Sequence, residues 1–149
     1  MSHNFIHLHA HTEYSLLDGV AKIPAYIEKV KSYGMNSAAI TDHGVMYGAF
    51  EFWQECNNQG IKPIIGCEIY VAERTRFDKT PGIDDKRYHL TLLAKNKEGY
   101  HNLLKLVSHA FIEGFYYKPR ADRELIEKYG KGLIALSGCL GSNFNQYLM

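Results

Sequence analysis

Three histidines at alternate positions, His7, His9 and His11, stand in one short segment near the start of the chain. On an extended strand, residues two apart share a face, so these imidazoles would project the same way. Two imidazoles at that spacing can hold one metal ion, and zinc in particular takes histidine nitrogen, thiolate sulfur and carboxylate oxygen. One histidine alone would read as a ring satisfied by a backbone carbonyl. Three in this pattern, at the end of an apolar run, point to a metal site.

Other residues of the same chemistry recur along the chain. Asp18 falls in Leu-Leu-Asp-Gly, where a turn residue and a ligand fit equally well. Thr41-Asp42-His43-Gly44 puts a carboxylate and an imidazole where a strand gives way to a loop. Parallel α/β proteins keep their active sites at that edge, which makes His43 and Asp42, the latter a candidate catalytic group, functional candidates. The amides after Gly44 open a helix and could meet a phosphate. Glu68 interrupts the apolar run Ile64 to Val71, a costly place for a carboxylate unless it is paired or metal-bound. Cys67 must face away from Glu68 and reads as core, and Cys56, in mid-helix, reads as structural. Cys139, just past a strand in Leu-Ser-Gly-Cys-Leu-Gly, suits a zinc ligand and a packed cysteine equally. Lys118, Pro119 and Arg120 form a basic loop, in which Arg120 is either a phosphate clamp or a solvated loop arginine.

The elements that must position these residues alternate between short apolar runs and segments of helical period. Strands are expected at Phe5 to Ala10, Ser37 to Thr41, Ile61 to Val71 (broken by Gly66), His89 to Ala94 and Gly132 to Ser137. Helices are expected at Lys22 to Tyr33, Val45 to Asn58, Lys97 to Ile112 and Asp122 to Tyr129, with a further one starting near Ser142. Arg74 to Arg87, with Pro81-Gly82 and Asp84-Asp85, reads as a surface loop. Alternating strands and amphipathic helices predict an α/β fold of βαβ units around a parallel sheet or barrel. Its strand C-terminal ends should gather His9, His11, His43, Glu68 and Cys139. About five strands are too few to close a barrel of the usual size. Met149 has no stop signal behind it, so the segment reads as cut short. At least one strand edge should then be exposed, or covered by a second copy of the chain.

Bulk properties restrict the function classes. The 149 residues are 46% hydrophobic and 22% charged, ordinary for one globular domain. With 17 basic and 16 acidic residues the formal net charge is +1, so charge alone gives no sign of nucleic-acid binding. Three cysteines without paired spacing fit a reducing compartment. There is neither a signal-peptide pattern nor an apolar run of membrane-spanning length, so a cytoplasmic location with no membrane contact is expected.

Taken in order, residues 7 to 19, 40 to 44, 66 to 71, 88 to 96 and 136 to 140 resemble the successive motifs of PHP (polymerase and histidinol phosphatase) domains in bacterial DNA polymerase III alpha subunits. The resemblance runs from Phe5 to about Gly141. It implies a distorted (β/α)7 TIM-like barrel, here partial and ending before the last motif. It also implies up to three divalent cations, zinc foremost with manganese or iron as alternatives, and hydrolysis of phosphate esters. By position, His9, His11 and Glu68 would hold one cation, Glu68 with His89 and Cys139 a second, and Asp18 with His43 a third. His7 matches no ligand position, which leaves it as a residue supporting the ligands or packed in the core. Within a replicase the implied substrate is a 3′-terminal phosphodiester, giving 3′→5′ exonuclease activity, with DNA and the other replicase subunits as partners. A histidinol phosphatase-type activity and a non-catalytic scaffold are the competing expectations, and an amidohydrolase shares only the His-x-His strand. Two departures stand out. No Asp-x-His pair follows Cys139, so this segment alone is expected to bind metal but to be a weak or inactive hydrolase, and His89 begins its strand whereas ligands are expected at strand ends.

Overall fold

The computed structural model describes residues 5–138 and 142. Helix α1 (Ile23–Ser32) starts with Pro24 in its first turn, where a missing N–H costs nothing, and buries Ile23, Ile27 and Val30 as one stripe. That stripe packs on β1 (Ser37–Ile40) and on α2 (Ala49–Gln59) in a core shared with Phe52, Cys56 and Ile61. The second helix begins later than the apolar pattern suggests. Gly44 turns the chain at φ +67°, and a β-carbon at Gly48 would lie 2.6 Å from the Tyr14 ring, so the intervening residues form a turn against that ring.

Strand β2 (Lys62–Ala72) runs unbroken through Gly66. Its first part pairs in parallel with β1, from Ser37↔Lys62 to Ile40↔Ile65, and the remainder pairs with β3 (Arg87–Ala94), from Gly66↔Leu93 to Ala72↔Arg87. Gly66 marks the changeover, where a β-carbon would meet the Leu92 carbonyl oxygen at 2.6 Å. Helix α3 (Lys97–Ile112) is capped by the Asn96 side chain, which accepts from the Gly99 N–H at 2.9 Å. The short β4 (Arg120–Ala121) lies parallel to β2, Asp122 caps α4 (Arg123–Tyr129), and β5 (Leu133–Leu136) pairs with β3. A second core, with Cys67, Ile69, Leu92, Leu103, Leu106 and Leu125, fills the space between the sheet and helices α3 and α4.

The chain is a mixed α/β fold of the partial TIM-like kind, with two departures from the sequence reading. Strand β3 is antiparallel to both β2 and β5. A parallel return needs a crossover, usually a helix, and the loop 73–86 supplies none. The expected strand Phe5 to Ala10 forms no ladder. It meets the sheet through a single backbone bond, Thr41 N–H to the Ala10 oxygen at 2.8 Å, while Phe5 and Leu8 stay exposed. Among the described residues the sheet runs β1-β2-β3-β5 without closing. The expected helix beyond Ser142 lies outside the described residues.

Candidate metal centre

Glu68 is the hub. It projects from β2 opposite to the buried Cys67 and Ile69, is 2% exposed, and is met by four imidazoles. Its Oε2 contacts His9 Nε2 and lies 3.7 Å from His11 Nε2. Its Oε1 lies 2.7 Å from His89 Nδ1 and 3.0 Å from His43 Nδ1. The second nitrogen of His43 is 2.6 Å from Asp18 Oδ2, so His43 bridges a buried carboxylate and an exposed one. The rings of His11 and His43 stack at 3.9 Å.

Each of these side chains arrives on an element fixed for local reasons. Ala10 is pinned from both sides by Thr41, whose hydroxyl accepts from the Ala10 N–H at 2.8 Å and donates to its carbonyl at 3.0 Å, so His9 and His11 flank an anchored residue. Asp18 sits in a turn closed by its own N–H and that of Gly19 on the Ser15 carbonyl, at 3.0 and 2.7 Å. The turn reading of Asp18 is met, and the same turn sets its carboxylate against His43. A β-carbon at Gly19 would overlap the Thr12 carbonyl oxygen at 1.8 Å, so only glycine fits there. His89 lies opposite Tyr70, hence diagonal to Glu68 across the β2–β3 ladder. Because β3 is reversed, its first residues reach the edge where β2 carries Glu68.

The donor set fits a cation. Ligand atoms of His9, His11 and Glu68 lie within 4.8 Å of one another. His11 Nδ1, both nitrogens of His43 and Glu68 Oε1 are buried without a hydrogen-bond partner, although carboxylates stand close by. Close nitrogens and oxygens with unaligned lone pairs are what ligands converging on a shared ion look like, and imidazole with carboxylate suits zinc, manganese or iron.

Across residues 7–149 the sequence matches the model of a family described as the PHP domain. The chain belongs to the PHP domain family. Among curated relatives, DNA polymerase III subunit alpha of Borreliella burgdorferi is 53% identical over 138 residues, which is 92% of this chain and 12% of that protein. The same subunit of Thermus aquaticus is 50% identical over 149 residues, covering 97% of this chain and again 12% of the relative. The chain thus spans about an eighth of the length of the relatives it matches. An amidohydrolase structure from Chromobacterium violaceum superposes with a TM-score of 0.50 at 21% identity, over 70% of this chain and 32% of that one, a likeness of fold alone.

Charge in the PHP site is polarised. Burial pushes the Glu68 carboxyl up, but contact with His43 and His89 outweighs it and holds the group well below the usual carboxylate range, so it is ionised. His43 is raised, mainly by the Glu68 contact against the opposing effect of burial, with Asp18 adding to it. His11 is lowered by burial first and by neighbouring His43 second.

Not every expected residue joins the group. His7 is exposed and lies edge-on to Phe5, apart from Glu68. Cys139 lies outside the described residues. Asp42 is buried and spends its carboxylate on the loop that follows His11, accepting from Thr12 N–H at 2.6 Å, Thr12 Oγ1 at 2.8 Å and Ser15 Oγ at 2.7 Å. That geometry corrects the catalytic assignment, because Asp42 is occupied as a positioning residue. Arg120 is corrected too. It is 1% exposed, and its guanidinium donates to the carbonyls of Gly114, Asp84, Arg76 and Asp78, so it is neither a solvated loop arginine nor available to a phosphate. Thr12 and Ser15, not among the expected site residues, fasten Asp42, and Ser15 also accepts from the His43 N–H at 3.1 Å. Two hydroxyls shortly after a His-x-His pair were the available signal.

Proposed function

We propose that this PHP domain is a metal-dependent phosphodiesterase acting on DNA ends within a DNA polymerase III alpha subunit, with 3′→5′ polarity. The single observation that carries the reading is the convergence of four imidazoles on one buried, ionised carboxylate. Near-complete coverage of this chain at about half identity by alpha subunits supplies the biological setting. His9, His11 and Glu68 would hold one cation, Glu68 with His89 and Cys139 a second, and Asp18 with His43 a third. When bound, such ions lower the pKa of attacking water and stabilise charge on phosphoryl oxygens. The chain's own contribution is positional. Glu68 stays charged and shared, Asp42 holds the loop between His11 and Asp18, and Thr41 fixes the register of His9 and His11. DNA and the other replicase subunits are the proposed partners, in the cytoplasm. No helix among the described residues is long and apolar enough to cross a membrane.

The test is metal content by mass spectrometry for the chain and its Glu68→Ala variant, beside hydrolysis of 5′-labelled single-stranded DNA by a full-length alpha subunit that carries either form of the domain. Zinc, manganese or iron bound by the wild type and lost with Glu68, together with stepwise loss of 3′ nucleotides, supports the proposal. Metal binding with turnover of histidinol phosphate but not of DNA would replace the substrate, and a metal-free chain would leave a scaffold.

A further inference from the structure

Beside the metal centre lies a cavity of about 300 Å³ that the hydrolytic reading leaves unused. One wall is the Asp18–His43 pair, and the others are largely aromatic, with Tyr47, Tyr70, Phe115 and Tyr117, and Lys118 at the rim. Since His43 is also 3.0 Å from Glu68, the cavity and the centre share a residue. Phe115, Tyr47 and Tyr117 are at least half exposed, an unusual outlay of ring surface on one small opening.

Backbone strain points to the same place. Among the described residues, Leu17 and Tyr117 are the non-glycine positions with positive φ, at +69° and +57°. Both border this cavity, since Tyr117 lines it and Leu17 stands between Leu16 and Asp18, which also do. Tyr117 occupies the tip of a tight turn in which the Tyr116 N–H donates to the Lys118 oxygen at 3.0 Å. Glycine is the natural occupant of such a backbone, and a bulky ring held there, facing solvent, is a recognised mark of a functional position.

We propose that this cavity is a subsite for one unpaired nucleobase at the end of a single-stranded nucleic acid, with Lys118 on a neighbouring phosphate. The idea deepens the phosphodiesterase reading and rests on it for its location. Every base has a face that stacks on tyrosine or phenylalanine, so a ring-lined cavity of this size takes one base without reading its sequence. Cations complete the environment, since Lys118 Nζ and the Arg87 guanidinium lie 5.7 and 5.9 Å from the centre of the Tyr70 ring. A protein partner could also cover exposed rings, but it would have no need of a cavity sharing a wall with Asp18 and His43.

The experiment is a fluorescence titration of the chain, in chelator so that no cleavage accompanies binding. The probes are a short 5′-fluorescein-labelled oligodeoxythymidine ending in 3′ 2-aminopurine and the same labelled strand ending in an abasic site, with affinity read from fluorescein anisotropy. The base-bearing end should bind about tenfold tighter, the stacking contribution of one base, with quenched emission. Tyr117→Gly removes the ring while relaxing the backbone, so it folds and should abolish the preference, whereas Tyr117→Phe should keep it. Lys118→Ala should weaken both probes alike and flatten the salt dependence. Equal affinity for the two ends, or a preference that survives Tyr117→Gly, overturns the proposal and leaves a protein contact as the use of these rings. Metal content is read separately. A metal-free chain that still prefers the base-bearing end keeps the subsite and loses the phosphodiesterase.

Discussion

Replacing Glu68 by alanine should remove the stabilisation that metal confers, and the size of the loss follows from the geometry. Glu68 is 2% exposed and offers one oxygen to His9 and His11 and the other to His43 and His89. The other carboxylate in contact with this group, Asp18, faces the far nitrogen of His43 and is itself mostly exposed, so it cannot take over. At free zinc about 100 times Kd, binding to the native state adds about 2.7 kcal/mol. For a chain of this size that raises Tm by about 8 °C, at about 3 °C per kcal/mol. Residues that only support a ligand change metal affinity by about 10- to 100-fold, so loss of the shared carboxylate should weaken it by at least about 100-fold. Free zinc would then be near Kd, leaving about 0.4 kcal/mol, or about 1 °C.

The assay is thermal unfolding with zinc and with chelator, and the compared quantity is the difference within each variant. Any change in the metal-free protein thereby cancels. His7→Ala is the control, because His7 is exposed and apart from Glu68, and it should retain the full shift. A Glu68→Ala protein that keeps more than about half the wild-type shift would refute the reasoning, since the imidazoles would then hold the ion without the carboxylate.

Three further outcomes are expected. Asp42→Ala strands the buried Thr12 N–H and two hydroxyls, at about 1–3 kcal/mol for each unsatisfied group, so the urea midpoint should drop sharply and zinc affinity should fall with it. Arg120→Lys should destabilise by about 2 kcal/mol or more, because an ammonium cannot reproduce the planar fork that reaches four carbonyls, yet bound metal should be unchanged by mass spectrometry. Arg74 holds the Asp84 carboxyl down at about 2 against an ordinary 3.8, so this pair stabilises the fold above about pH 4 and ceases to do so as pH falls through 2. Melting curves across that acid range should be flatter for Arg74→Met than for the wild type, and parallel curves would count against the pair.

Elements set by local signals were readable from sequence. Helix α3 has the ends expected of it because its apolar period is regular and Asn96 is a strong cap. The exceptional status of Glu68 followed from the cost of a carboxylate inside an apolar run, and the core role of Cys67 from strand alternation, since neighbours on a strand face opposite ways. What failed depended on distant partners. Phe5 to Ala10 has strand composition, but composition cannot say whether a neighbour will supply the ladder. An acid beside a ligand at a strand end looks the same in sequence whichever way it turns, and Asp42 turns towards Thr12 and Ser15. Arg120 was misjudged because its loop neighbours are polar, while its own backbone pairs with Tyr70 and its side chain threads among carbonyls from loop 74–84 and Gly114.

His89 shows which rule was at fault. Ligands are expected at the C-terminal ends of strands because, in a parallel sheet, those ends share one edge. The physical requirement is the shared edge, and direction matters only as its proxy. In strand β3 the direction is reversed, and the Tyr70↔His89 register brings the beginning of that strand level with the end of β2. A ligand on a reversed strand must therefore sit near its N-terminal end, and the His89 nitrogen lies 2.7 Å from Glu68. The conflict between the motif and the strand direction vanishes, with β3 beginning at Arg87 rather than at His89, because the helix-free loop 73–86 had already committed the chain to an antiparallel return. Shifting His89 along the strand, as in a His89→Ala/Leu90→His double variant, turns the imidazole to the opposite face and should lose zinc affinity as fully as His89→Ala does.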